Sequence, residues 1–454
     1  MRKSSDMSRR DFIKKTSGGM AALAIGSSLL STANAATNPT ASDPSPAARP
    51  RTYMDRGTRL TISMWDFSWL MAHHPGGAYE DLERRVAEAA ERGYNTLRVD
   101  CFPSRILEHE SRFEKNWEPG VNLPHWGQTA TTFSCNARKE VAQLADLCRK
   151  HGIWLGLDSW DKAHMFGRGS IFSRPAPVYT FAEADEEREF AGYAQTWVKA
   201  LRLMREDGVL ERAVWIAPMN EVPHFAGGGL AAVRDLSKRP LDQGETQADK
   251  NHAVNAVFRR VNHWMAEPIK AEVAGEKIPI SYSSLGAEPF ADRLTDVYDV
   301  VDIHFMPDVI TDKDDQAAFA KATRKVRPGG PFERLEQVDF KAWSRAWDTA
   351  CRKHYRQMIK RTRDYHEGCL RNMTLPSGKR LVAINTEPFG PCFWPDHHKV
   401  GWEWYKRYNA DALRVVAAMD LAGSSLSNYA EPIFTLWNDA DWHYTSCAYL
   451  LETA

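Results

Sequence analysis

Short apolar runs that are typical of buried strands alternate along this chain with stretches of helical periodicity. Helical stretches lie at 79–93, 137–152, 183–207, 247–274 and 341–368, and the first two end on Gly93 and Gly152. The strand-like runs are LTISMWD at 60–66, TLRVDCF at 96–102, IWLGLDS at 153–159, AVWIAPMNE at 213–221, IPISYSS at 278–284, VVDIHFM at 300–306 and LVAINTE at 381–387. Strands and helices in alternation predict parallel strands joined by crossover helices.

The number of strands separates two kinds of parallel sheet. An eighth strand should follow a helix at 403–421 whose end is marked by Gly423. Two segments compete for it: 424–430 lies at the expected distance, and 432–438 is more apolar. We favour the first. Eight strands predict an α/β fold of the (β/α)8 barrel type, and no G-x-G-x-x-G turn supports an open dinucleotide-binding sheet.

A barrel of this type needs about 250 residues, so the chain is longer than the fold requires. We assign the excess to loops that follow the strands, at 103–137, 161–182, 222–246 and 305–340. Because these loops leave the strands at one end of the barrel, they are expected to build a substrate cleft.

The first 35 residues have the layout of an export signal. A basic head precedes an apolar middle and the small residues Ala33 to Ala35, and Arg9 and Arg10 indicate the twin-arginine route. The apolar stretch is shorter than the roughly 20 residues that span a bilayer. We therefore expect removal of 1–35, a flexible linker at 36–52, a catalytic domain at 53–454 and a periplasmic or extracellular location.

Composition narrows the choice of partners. After removal of the signal, 53 basic and 57 acidic residues leave a formal charge of −4, which favours neither nucleic acid nor an anionic membrane as partner. The seven cysteines lack C-x-x-C spacing, so we expect no structural metal site, and no motif indicates a cofactor. Sixteen tryptophans and fourteen tyrosines exceed the needs of a core, and aromatic rings in a cleft stack on sugar faces.

Polar side chains accumulate where the strand-like runs end. In a barrel the carboxyl ends of the strands meet at one site, so these side chains should lie together. They are Asp66, Arg98, Asp100, Asp158, Asn220, Glu221, His304 and Glu387.

Two carboxyl groups at one site suit glycoside hydrolysis. One must be protonated to donate to the leaving oxygen, and the other must be ionised. A separation of about 5–5.5 Å gives retention of configuration, and about 6.5–9.5 Å gives inversion. Arg98 could lower the pKa of one carboxyl group and leave the other as the acid.

Two of the motifs resemble a known family. APMNEVP at 217–223 and INTEPFG at 384–390 are similar to the fourth- and seventh-strand signatures of the retaining (β/α)8 glycosidases of clan A, which include the cellulase-like family 5 enzymes. The resemblance implies an exported hydrolase of β-linked oligosaccharides or polysaccharides, of β-glucan or β-mannan type. It implies Glu221 as acid/base, Glu387 as nucleophile and Asn220 as partner of the sugar 2-hydroxyl. Arg98 would hold the nucleophile, and His304 would lie near the pair.

The chain also departs from that family. The third strand ends with Asp158 and Trp160 where the family often has a histidine, and Met306 stands where a tyrosine usually steadies the nucleophile. Tyr429 or Trp437 would supply the aromatic floor of the sugar site, depending on which segment is the eighth strand. Pro218 removes a hydrogen bond from the fourth strand.

Two other functions fit the same residues. A barrel that binds carbohydrate without cleaving it would need the same cleft, and a metal-assisted hydrolase could use the same carboxylates. The histidine pairs at 73–74 and 397–398 are weak metal candidates, because adjacent side chains point in different directions.

Overall fold

The computed structural model describes residues 58–116, 129–160, 183–222, 231–285, 290–305, 317, 339–389 and 401–453. Its strands are β1 Leu60–Asp66, β2 Thr96–Asp100, β3 Ser111–Phe113, β4 Phe133–Cys135, β5 Trp154–Asp158, β6 Ala213–Ile216, β7 Ser281–Leu285, β8 Val300–Phe305, β9 Val382–Pro388 and β10 Gly423–Ser425. Its helices are Ser68–Met71, Leu82–Glu91, Pro103–Ile106, Ala137–Lys150, Glu183–Glu206, Ala231–Lys238, Gln247–Glu272, Phe290–Arg293, Phe340–Arg371, Glu403–Ala417 and Ala440–Glu452, with 3-10 turns at Val209–Arg212 and Thr435–Asn438.

Eight of the strands form one parallel sheet that curls into a ring. The order is β6-β5-β2-β1-β10-β9-β8-β7, and every paired neighbour runs parallel. A bridge between Ile216 and Ile280 joins the two outer strands, and the amide of Ile216 donates to the carbonyl of Pro279 at 3.0 Å. The predicted (β/α)8 barrel is confirmed. The remaining strands, β3 and β4, pair antiparallel within the predicted loop 103–137.

The fourth strand of the barrel, β6, is shorter than predicted. The run 213–221 is strand only as far as Ile216, and the chain has left the sheet where Pro218 lacks an N–H to donate. The carbonyl of Pro218 instead accepts from Tyr193 Oη at 2.7 Å and Trp197 Nε1 at 2.9 Å. These bonds anchor the segment that leads to Glu221 on the helix behind it.

The eighth strand of the barrel is β10, which lies at the start of the favoured segment 424–430. The segment 432–438 contains the 3-10 turn Thr435–Asn438. Gly423 is not the end of the preceding helix, which stops at Ala417, but the first residue of β10. A Cβ at Gly423 would lie 2.7 Å from Cβ of Leu60, so β1 and β10 require glycine here to approach each other.

Apolar side chains fill the lower part of the barrel. Leu60, Ile62, Trp215 and Ile384 belong to one buried cluster inside the ring. A Cβ at Gly156 would lie 1.8 Å from the Trp215 ring, so the indole occupies the space above a glycine. The lower interior is therefore a packed core, as is usual for such a barrel.

Several predictions lie outside the described residues. These are the export signal at 1–35, the linker at 36–52, Met306 and the histidines at 397–398. In the part of the chain that is described, none of the helices combines the length and apolarity that a bilayer span requires.

Candidate active site

The carboxyl ends of the strands meet in one polar cluster, as the sequence predicted. Six of the predicted site residues lie in it, and each is at most 5% exposed. They are Arg98, Asp158, Asn220, Glu221, His304 and Glu387.

Arg98 is the centre of this cluster. It projects from β2, and its Nη1 donates to Glu387 Oε1 at 2.6 Å. Its Nε donates to Asp158 Oδ2 at 2.9 Å, and its Nη2 contacts Asp158 Oδ2 and Asn220 Oδ1, each at 2.5 Å. Every nitrogen of the guanidinium therefore holds a side chain of another strand end. Asp158, which stands where the family often has histidine, locks the orientation of Arg98.

The carboxyl groups of Glu221 and Glu387 face each other across the mouth of the barrel. One oxygen of each lies within 4.8 Å of the other and of a ring nitrogen of His304. Glu221 follows β6 in a left-handed conformation with φ of 49°, and its amide donates to Ser283 Oγ at 3.0 Å. Strained backbone of this kind persists where surrounding contacts enforce it, which is common in active sites.

His304 links the two carboxylates. Its Nδ1 lies 3.3 Å from Glu221 Oε1 and 3.4 Å from Glu387 Oε1, and its Nε2 lies 3.2 Å from Asp302 Oδ2. Burial by itself would lower the pKa of His304, but the charges of Glu387 and Asp302 raise it to about 10. The imidazolium therefore places a second positive charge beside the pair at neutral pH.

The surroundings of Glu387 act on its pKa in opposite directions. Burial raises the pKa of Glu387, while His304 and Arg98 oppose that rise and the charge of Glu221 adds to it. Arg98 contacts Glu387 directly, but the pKa of Glu387 is still raised overall, so the contact by itself does not give the lowering that the sequence suggests. The net direction is upward because a fully buried carboxylate loses more hydration than two cations restore.

The predicted aromatic residues differ in their burial and in their position relative to the cluster. Trp160 is half-buried beside the cluster, where its amide donates to Asp100 Oδ2 at 2.8 Å. Tyr429 is 1% exposed, with its ring 5.4 Å from that of Trp402.

Trp437 lies away from the site. Its Nε1 donates to Glu88 at 2.9 Å, and the guanidinium of Arg92 covers its ring at 4.5 Å. Because its segment is not the eighth strand, this indole packs in the core and cannot serve as the floor of a sugar site.

Sequence reasoning missed several supporting residues. Asp302 accepts from the amide of Thr386 at 2.9 Å and from its hydroxyl at 2.6 Å, and it holds His304. Ser283 Oγ donates to Asn220 Oδ1 at 2.6 Å. The sequence could have indicated Asp302, because residues two apart on a strand share a face and Asp302 lies two residues before His304.

The cluster could also hold a cation. Glu221, His304 and Glu387 each offer one ligand atom. A protonated His304 has no lone pair to give, however, and a metal would have to displace that proton. Of the first histidine pair, His73 lies 3.1 Å from Glu140 and His74 packs against Phe133, so the two rings do not share a ligand site.

Known structures share this architecture. A candidate glycoside hydrolase from Parabacteroides distasonis aligns with a TM-score of 0.59 at 20% sequence identity, over 87% of this chain and 94% of its own. A broad-specificity endoglucanase from Bacteroides salanitronis aligns with a TM-score of 0.47 at 10% identity, over 90% of this chain and 97% of its own. At 20% identity the likeness to the first of these structures shows the fold alone.

Family membership comes from the sequence itself. No curated protein sequence matches this chain. The family described as sugar-binding cellulase-like matches residues 62–448, which include every strand of the barrel except the first two residues of β1. The chain belongs to the sugar-binding cellulase-like family.

Proposed function

We propose that this protein is a retaining glycoside hydrolase that cleaves β-linked glycans of β-glucan or β-mannan type. The observation that carries the proposal is the approach of Glu221 and Glu387 to within 4.8 Å, measured between one oxygen of each, at the mouth of the barrel. That gap is too small for a water molecule to attack from the far side of a sugar, so it favours retention. The choice of β-linked glycans rests on the family and on the motif resemblance.

In the first step, an oxygen of ionised Glu387 attacks the anomeric carbon. The bond from that carbon to the leaving oxygen breaks with its electron pair, and Glu221 donates its proton to that oxygen. The product is a glycosyl ester on Glu387. Arg98, whose Nη1 is 2.6 Å from Glu387 Oε1, orients the attacking carboxylate and favours its ionised form.

In the second step, the ionised Glu221 removes a proton from water. The water oxygen attacks the anomeric carbon, the ester bond breaks, and Glu387 returns to its carboxylate form. His304 contacts both glutamates and so stabilises whichever of them is ionised. Asn220, held by Arg98 and Ser283, is fixed in position to meet the sugar 2-hydroxyl.

The test is a panel of substrates with a stereochemical readout. Purified protein is incubated with β-glucans, mannans, xylans and aryl β-glycosides, and reducing-end release is measured. The anomer first formed from a cleaved substrate is then identified by proton NMR. We expect the β-anomer first, and an α-anomer would overturn the double-displacement mechanism.

The other candidate functions give different results in the same panel. Binding by calorimetry without any release of reducing ends would mean a carbohydrate-binding barrel that does not cleave. Activity that a chelator abolishes, and an added divalent cation restores, would mean a metal-assisted hydrolase built on Glu221, His304 and Glu387.

We also propose export by the twin-arginine route. That route carries folded proteins, and the cysteines in the described part of the chain form no disulfide, which suits folding in a reducing cytoplasm. Exchange of Arg9 and Arg10 for lysine should retain the protein in the cytoplasmic fraction of an expressing bacterium. Unchanged export of that variant would rule the route out.

A further inference from the structure

Asp66 is a buried carboxyl group that the proposed mechanism does not use. It ends β1 at the mouth of the barrel, is 1% exposed, and has φ of 41° in the left-handed region. One carboxyl oxygen lies 3.5 Å from Nε of Arg98. Burial raises its pKa to about 8 against the opposing charge of Arg98, and the charges of Glu387 and Asp158 add to the rise. Asp66 therefore belongs to the active-site cluster.

Asp66 differs from the other aspartates at the strand ends in its hydrogen bonds. Asp158 accepts from Arg98 through Oδ2 and from the amide of Ser159 through Oδ1 at 2.7 Å. Asp100 accepts from the amides of Phe102 and Trp160. Within the described residues no hydrogen bond reaches Oδ1 of Asp66, although the atom is buried. A buried carboxyl oxygen without a donor is costly, and a ligand that brings a donor would remove that cost.

Arg98 does not supply the missing hydrogen bond to Asp66. The single hydrogen on Nε of Arg98 already points to Asp158 at 2.9 Å, and its Nη1 and Nη2 are taken by Glu387, Asp158 and Asn220. The 3.5 Å contact with Asp66 is thus an electrostatic one, not a hydrogen bond. Removing Asp66 would leave all four of these hydrogen bonds of Arg98 in place.

The charges around Asp66 define what the donor can be. Five carboxyl groups and two cationic side chains make up the described part of the cluster. With a pKa of about 8, Asp66 is largely protonated at neutral pH, but the other carboxyl groups still outnumber the cations, so an anionic group on the ligand would meet net negative charge. A neutral hydroxyl is the group that donates to a carboxyl oxygen without adding charge. The carboxyl groups are those of Asp66, Asp158, Glu221, Asp302 and Glu387, and the cations are Arg98 and His304.

We propose that Asp66 is a substrate-binding residue that accepts a hydrogen bond from a ring hydroxyl of the sugar seated over Glu387, and that this sugar is uncharged. Asp66 and Glu387 contact the same guanidinium, at Nε and Nη1 respectively, which is why we place one sugar ring across both. The inference rests on the proposed function, since it places the reacting sugar at Glu387. It adds a determinant of specificity on the first strand, where the motifs assigned no role.

The experiment pairs variants of Asp66 with substrates that lack one hydroxyl. The probes are the aryl β-glycoside that the panel shows to be best cleaved and its monodeoxy analogues, one for each ring hydroxyl other than that beside the anomeric carbon. The enzymes are wild type, Asp66→Ala, the near-isosteric Asp66→Asn, and Asp146→Ala as a control on an exposed helix position with 69% side-chain exposure. Thermal unfolding shows that each variant is folded.

With the wild type, we expect one analogue to lose about 10²-fold or more in kcat/KM, because the missing hydroxyl leaves the buried carboxyl group of Asp66 unpaired. In Asp66→Ala that analogue and its parent should be cleaved at similar rates, while the other analogues keep their wild-type penalties. Asp146→Ala should behave as wild type. If Asp66 had only a structural role, its replacement would lower kcat/KM for all substrates by the same factor. Equal penalties in wild type and both Asp66 variants would overturn the proposal.

Calorimetry separates this inference from the proposed function. Binding of the corresponding free sugars and deoxy sugars is measured with wild type and Asp66→Ala. If wild type binds without cleaving, the hydrolase proposal fails, and the same selective loss in binding still supports the role of Asp66. If wild type neither cleaves nor binds any of the sugars, both proposals are overturned. A glucuronide probe should be bound more weakly than its neutral counterpart, and equal binding would contradict the uncharged sugar.

Discussion

Replacing Glu387 with glutamine should reduce turnover by about 10³-fold or more on every substrate that the wild type cleaves. Glutamine keeps the shape of the side chain but is a far weaker nucleophile than a carboxylate. Its carbonyl oxygen can still accept from Nη1 of Arg98, and Arg98 keeps its bonds to Asp158 and Asn220. The variant should therefore fold and bind substrate, with the loss concentrated in kcat.

A matched control and a rescue sharpen this test. Glu367→Gln makes the same change on an exposed helix, where the side chain is 47% exposed, and should leave activity at the wild-type level. In Glu387→Ala, added azide should attack the anomeric carbon from the vacated face and give an α-glycosyl azide from a β-glycoside. Near-normal turnover of Glu387→Gln would remove the nucleophile assignment.

The second large effect is expected in Glu221→Ala. Loss of the proton donor should slow cleavage of substrates with poor leaving groups by about 10²–10⁴-fold. Activated aryl glycosides need little protonation of the leaving oxygen, so their first step should be much less affected. The basic limb of the pH profile of kcat/KM reports the protonated acid of the free enzyme, and it should disappear in the variant.

The measurements are pH profiles of kcat/KM on one activated and one unactivated glycoside. Glu211→Ala, at a side chain that is 74% exposed, is the control and should keep the bell-shaped profile. A basic limb that persists unchanged in Glu221→Ala would assign the acid to another group. Equal losses on the two kinds of substrate would also contradict the role, because only the acid step depends on the leaving group.

The barrel could be predicted from the sequence because it depends on periodic signals. Fully buried strands give apolar runs, and the run at 60–66 coincides with β1 at both ends. The fourth run is longer than its strand because apolar residues continue beyond Ile216. Composition does not distinguish buried strand from buried loop, and the anchoring of Pro218 by Tyr193 and Trp197 is a tertiary contact.

The candidate site was predictable where a polar residue follows an apolar run and so marks the end of a strand. Arg98, Asn220 and Glu387 lie together as expected, because parallel strands bring their carboxyl ends to one edge. The partners of these residues were not predictable, since the roles of Asp302 and Ser283 depend on register between neighbouring strands. The sequence places Trp437 in the site only if 432–438 is the eighth strand, and in the structure it packs against Arg92.

The closure of the ring has a consequence for how the enzyme could lose activity. In the described residues β6 and β7 meet through the bridge of Ile216 and Ile280, and above it Ser283 fastens Asn220 and the amide of Glu221. Glu387 instead lies on β9, which is flanked by ladders on both sides. Thermal opening should begin where the fewest bonds must break. Early heat damage would therefore displace the proton donor and leave the nucleophile on intact sheet.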